Sequence, residues 1–143
     1  MPKDKIQEVK EAAEMSGNPM VALVATPTGE GYFMLLRDGA VLTFGDAQFY
    51  GSAGGEAIEN APFTDMAVHP SGEGYWLVGT DGGVFSFGAV TFFGSIVDLK
   101  LAAPIRSITS TATGLGYWLG AEDGGVFAFG DAQFYGAGVE HTK

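Results

Sequence analysis

The residues best placed to do chemistry are two Asp-x-Gln pairs, Asp46 with Gln48 and Asp131 with Gln133. Both sit in the same phrase, Phe-Gly-Asp-Ala-Gln-Phe-Tyr-Gly, at 44–51 and 129–136. A carboxylate that accepts, an amide that donates and accepts, and a neighbouring ring are the groups that recognise sugar hydroxyls. The same residues also serve as a capped turn after a chain-breaking glycine. Asp38, Asp81 and Asp123 recur too, each before a glycine. They could gather a cation, but Asp-Gly between apolar strands is hairpin chemistry, and no Asp-x-Asp-x-Asp calcium loop is present. Tyr32, Tyr75 and Tyr117, with Trp76 and Trp118, offer either stacking platforms or core. The two histidines, His69 and His141, fall at unrelated positions, and there is no cysteine. Neither a metal site nor a catalytic dyad can be assembled from such a set. No serine lies in a nucleophile elbow, and the acids are scattered rather than paired. The expectation is a protein without catalytic residues, metal or cofactor, and not an enzyme.

The elements that must position these groups come from a repeat. Gly31-Tyr32, Gly74-Tyr75 and Gly116-Tyr117 recur at intervals of 43 and 42 residues. Each unit starts at a proline (Pro19, Pro62, Pro104) followed by a β-rich run and a Gly-containing turn. The Gly-Tyr-aromatic strand comes next, then Asp-Gly, a return strand, a glycine break and a short last run: Gln48–Gly51, Thr91–Gly94 or Gln133–Gly136. Four short antiparallel strands per unit are expected, with repeats at 18–61, 62–103 and 104–143 forming one domain, 18–143. In the second strand Tyr75 and Leu77 point to one face and Trp76 and Val78 to the other. A strand apolar on both faces must be covered on both faces. That is the condition of a propeller blade sandwiched between neighbours.

The phrases Gly-Tyr-Trp-Leu-Val, Asp-Gly-Gly-Val-Phe and Phe-Gly-Asp-Ala-Gln-Phe-Tyr-Gly resemble the tandem repeats of actinobacterial surface and exported proteins and of proteins from their phages. The resemblance covers 19–138 and implies a β-propeller-like array. Repeat 2 departs from it with Ala89 in place of Asp, and repeat 1 with Phe33 in place of Trp. Three blades do not close a ring, since propellers use ~4–8. A homodimer would supply six and close with two-fold symmetry. The alternative is a β-trefoil, which closes three repeats as a monomer.

Before the repeats, residues 1–17 read as a short amphipathic α-helix. Asp4 and Gln7 form a capping-box pattern, and Ile6, Val9 and Ala13 share one face that suits oligomer or anchoring contacts. Net charge is −10, and beyond residue 18 the basic side chains are Arg37, Lys100, Arg106 and Lys143. That balance excludes nucleic acid as a partner and disfavours an anionic membrane. No apolar run approaches the ~20 residues of a membrane span, and no secretory signal pattern is present, so a virion or cytoplasmic location is expected. The functional expectation is a homo-oligomeric structural and recognition module, a virion-surface protein decorating a capsid or tail, with a protein shell or surface glycan as partner. The alternative is a glycan-binding lectin with pockets around Asp46, Gln48, Asp131 and Gln133.

Overall fold

The computed structural model describes residues 17–53, 62–96 and 101–138. The expected helix, with Ile6, Val9 and Ala13, lies outside these residues, as does His141. Among the described residues there are nine strands and no helix that could cross a membrane. They are β1 (Met20–Ala25), β2 (Gly31–Leu36), β3 (Val41–Gly45), β4 (Phe63–Val68), β5 (Gly74–Gly79), β6 (Val84–Gly88), β7 (Ile105–Ser110), β8 (Gly116–Ala121) and β9 (Val126–Gly130). They form three separate antiparallel sheets, β1-β2-β3, β4-β5-β6 and β7-β8-β9.

Local chemistry sets each sheet. Asp38, Asp81 and Asp123 accept the backbone N–H two residues on, at 2.9 Å each, and so close the second hairpin of each unit. Their carboxylates belong to the turns. Among the described residues no three His, Cys, Asp or Glu gather into a metal-sized cluster. The first strand of every unit slips register after its first residue, in the same place each time. A bulge repeated three times is a designed bend.

The expected fourth strand does not form, and each sheet has three strands. The reason lies in the glycine break and the residues just past it. Gly45, Gly88 and Gly130 have φ of 64, 85 and 66°, which turns the chain away from the ladder. Side chains then satisfy the backbone that a ladder would have paired. Ser52 Oγ accepts Val41 N–H at 2.8 Å, and Ser95 Oγ accepts Val84 N–H at 2.7 Å. The Trp76 indole donates to Thr91 C=O, and the Trp118 indole to Gln133 C=O, both at 2.8 Å.

Each sheet turns a leading face to the preceding repeat and a trailing face to the next. Phe33, Leu35 and Val41 on the trailing face of repeat 1 pack with Phe63, Met66, Tyr75 and Leu77 on the leading face of repeat 2. Trp76, Val78, Val84 and Ile96 repeat that layer against Ile105, Ile108, Tyr117 and Leu119. Tyr75 to Val78 are all 0% exposed, so the two-faced central strand is covered on both sides. The ring contacts repeat as well: Phe33–Tyr75 at 5.2 Å and 63°, Trp76–Tyr117 at 5.4 Å and 60°. The three sheets form an open stack and not a closed ring. No strand ladder joins one described sheet to another, so the barrel closure of a trefoil is absent too.

Candidate functional site: the clefts between repeats

Asp46 lies just past β3, beside the β1–β2 turn of its own unit. Thr26 Oγ1 donates to Asp46 Oδ1 at 2.7 Å, and Thr28 Oγ1 donates to Oδ2 in a short hydrogen bond. Thr111 and Thr113 grip Asp131 in the same way, at 2.7 Å from Thr111 and again a short bond from Thr113. The hydrogen bonds, first from Thr28 or Thr113 and then from Thr26 or Thr111, hold both carboxyls below the ordinary carboxylate range. The glycine of the Gly-Tyr motif is required by backbone approach in all three units. A Cβ on Gly31, Gly74 or Gly116 would come within 2.5 Å of the Phe44, Phe87 or Phe129 carbonyl oxygen, and the clasps crowd two of them further. A Cβ on Gly31 or Gly116 would come within 2.6 Å of the Asp backbone N and Oδ1.

Repeat 2 replaces the whole clasp. His69, Ser71 and Ala89 stand where the others have Thr, Thr and Asp. His69 Nδ1 lies 2.8 Å from Ser71 Oγ, and the imidazole packs on Trp76 with ring centroids 5.7 Å apart. All three members change together because each depends on the others. The Thr-x-Thr partners went unread in the sequence. The signal for them is their presence only in the two units that carry the Asp.

At the junction of repeats 1 and 2 a cleft of about 260 Å³ opens, lined by Asp46, Gln48, Tyr50, Ser71 and Glu73 among others. Gln48 Oε1 accepts the Tyr50 hydroxyl at 3.2 Å. Phe49 stands beside this rim, 58% exposed. No lining residue is basic and Asp46 and Glu73 are acidic, so the cleft disfavours anions. Asp131 and Gln133 form the equivalent half-rim on repeat 3, which has no following repeat among the described residues. The two Asp-x-Gln pairs therefore belong to separate units.

The junction is locked from the next repeat. The Tyr75 hydroxyl donates to Gly51 C=O at 2.6 Å and accepts Tyr50 N–H at 2.9 Å. Tyr117 does the same for Gly94 C=O and Phe93 N–H, at 2.6 and 3.1 Å. Burial pushes both phenols above their ordinary value. Asp65 adds a tie, accepting Ile108 N–H at 2.9 Å, while burial raises its carboxyl.

No protein-family model and no curated protein matches the chain. Among solved structures it is similar to a structural genomics protein of unknown function from Bacteroides thetaiotaomicron, with TM-score 0.61 and 12% identity. The match covers 86% of this chain and 35% of that one. It shows a shared fold, and this chain spans about a third of that protein's length.

Proposed function

We propose that this chain is a non-enzymatic structural and recognition module, a propeller-type repeat protein that completes itself by association and is displayed on a virion surface. Two copies would bring six repeats into one ring. The observation that carries self-association is a mismatch between equivalent residues. Met20 and Leu23, beside a face whose centre at Met34 is buried, are 48% and 54% exposed, whereas Phe63 and Met66, and Ile105 and Ile108, at the same positions of the later repeats, are 0–3% exposed. Apolar side chains built for a layer but left uncovered mark an interface. The virion setting is supported by the resemblance of the repeats to those of actinobacterial phages, and a shell protein is the partner it implies. The test is the molar mass of the full chain in solution across concentration. A dimer or larger closed species is expected, and a strict monomer overturns the reading.

A second reading, a lectin, is favoured by the cleft that holds Gln48, Tyr50 and Glu73 beside exposed Phe49. Binding on a glycan array that is lost with Gln48→Ala supports it. An array without signal, or Asp131→Ala and Gln48→Ala both leaving binding intact, counts against it.

A further inference from the structure

We infer that Phe49, Phe92 and Phe134 are stacking platforms for one linear, non-acidic polysaccharide that crosses the repeats, with the cleft at the first junction as its polar subsite. The inference rests on the glycan-binding reading above and extends it from one pocket to the whole array.

The three rings hold one position of the repeat, the residue before Tyr50, Phe93 and Tyr135. They are 58%, 54% and 55% exposed, so none belongs to the apolar layers between sheets. The backbone beneath each ring is fastened. Thr91 C=O and Gln133 C=O, one residue before Phe92 and Phe134, accept the Trp76 and Trp118 indoles at 2.8 Å. Tyr50 N–H and Phe93 N–H, one residue after Phe49 and Phe92, donate to the Tyr75 and Tyr117 hydroxyls. Rings exposed on a backbone held this firmly are pre-organised for a ligand, with little ordering left to do. The junctions also put the rings in register. Tyr50 and Tyr75 lie 6.0 Å apart at 63°, and Phe93 and Tyr117 lie 5.8 Å apart at 63°. The first junction therefore relates Phe49 to Phe92 as the second relates Phe92 to Phe134. The rings form one row along the stack, with a step of about 10 Å or more, the spacing of packed sheets.

Charge and composition select the occupant. The bases of a single-stranded nucleic acid also stack on such rings, but they arrive with phosphates that need a basic groove. The described residues hold two arginines, Arg37 and Arg106, and neither lies in a last run or lines the cleft. Asp46 and Asp131 stand three residues before Phe49 and Phe134, and Glu73 faces the cleft, so acidic polymers are repelled. A protein partner calls for a contiguous apolar patch. Here each ring is instead preceded by an exposed amide or hydroxyl side chain, Gln48, Thr91 or Gln133, and parted from the next ring by a whole repeat. A polysaccharide matches that pattern. Its sugar rings offer C–H faces to the aromatic rings and hydroxyls to the polar groups beside them. The sugar stacked on Phe49 would set its hydroxyls among Asp46, Gln48 and Glu73 in the cleft of about 260 Å³. At the second junction Ala89, Thr91 and Leu115 replace those groups, so Phe92 supplies stacking with little polar selection. Several weak platforms on one polymer add up, and affinity then grows with chain length.

The test is affinity electrophoresis of the full chain through native gels that contain a soluble β-glucan, a galactomannan or dextran, with alginate as the acidic control. Retardation by a neutral polymer and none by alginate is expected. Phe49→Ala, Phe92→Ala and Phe134→Ala should each weaken binding by roughly three- to tenfold. Phe92→Tyr should keep the affinity and Phe92→Leu should lose as much as Phe92→Ala, because stacking needs a ring and not only an apolar side chain. Oligosaccharides too short to reach a second ring should bind far more weakly than the polymer and ignore Phe134→Ala. Circular dichroism confirms that each variant folds. Binding that is lost with Gln48→Ala but unmoved by Phe92→Ala and Phe134→Ala confines the glycan to the cleft, which overturns the row and leaves the lectin reading standing. No retardation by any of the three neutral polymers overturns the row, and with a glycan array also without signal the lectin reading falls too. A triple Phe→Ala variant that changes the sedimentation of the chain while no polysaccharide binds assigns the row to protein contact and overturns the inference.

Discussion

At the residue scale, Asp46 and Asp131 act as latches before they act as anything else. Each carboxylate takes two threonine hydroxyls, and the charged form is the one that is held. Their stabilising contribution is fully present above the ordinary value of 3.8 and is lost as pH falls through the lowered folded values. Asp46→Asn and Asp131→Asn should therefore flatten the acid limb of a thermal-midpoint profile. Asp65 has the opposite sign. Its carboxyl is raised by burial, so the contribution from its protonation is present in acid and lost as pH rises through the raised value. Asp65→Asn keeps an acceptor for Ile108 N–H and should raise the midpoint at neutral pH while leaving it nearly unchanged in acid. The tyrosines give a third comparison. Tyr75→Phe leaves Tyr50 N–H and Gly51 C=O without their partner and should cost about 1–3 kcal/mol in denaturant unfolding. Tyr32→Phe should cost close to nothing in the dilute monomer.

At the scale of the element, the informative piece is the turn between the first two strands of each unit. Gly29 and Gly114 hold the same backbone, with φ of 75 and 74°. Around Gly29 a Cβ would meet nothing within 4 Å, whereas at Gly114 it would overlap the His69 ring of the preceding repeat. Gly29→Ala should cost about 1–2 kcal/mol for the left-handed backbone alone. Gly114→Ala should cost measurably more, and in a His69→Ala background it should fall back to the Gly29→Ala level, read as a double-mutant cycle in urea. All nine strands are legible in the sequence, because prolines, Asp-Gly pairs and apolar runs mark their ends. The expected fourth strand is the exception, for a definite reason. Thr91-Phe92-Phe93 has the composition of a strand, but strand composition does not say whether a ladder partner is free. The Val41 and Val84 N–H groups on the adjoining edge are capped by Ser52 and Ser95. The clasp is half legible: Asp46 and Asp131 stand out, and the threonines do not, since they lie 18 and 20 residues upstream.

At the scale of the whole molecule, the stack is a set of layers in which each interior repeat borrows from both neighbours. Stability in such arrays is close to a sum of unit and junction terms. Exposed apolar side chains at the end of the stack, Met20 and Leu23, leave room for a further contact, and a second copy seated there would stabilise only the folded state. The thermal midpoint of the full chain should rise with protein concentration, and Leu23→Glu should abolish that rise. Scanning calorimetry over a wide concentration range reads this directly.

The sequence alone determined the period, the strand order within a unit and the need for apolar cover on both faces of the central strand, because these depend only on residue types at fixed spacing. It also identified Asp46, Gln48, Asp131 and Gln133 as the groups worth following. Tertiary structure decided how those groups are used. It decided that each carboxylate is gripped by threonines of its own unit, that tyrosine hydroxyls hold the last run in place of a fourth ladder, and that Asp46 and Gln48 meet Glu73 in one cleft at the first internal junction. Those outcomes depend on which side chains meet across turns and between repeats, and apart from the joint change of Thr-x-Thr and Asp in repeat 2 the periodicity of the chain does not record such meetings.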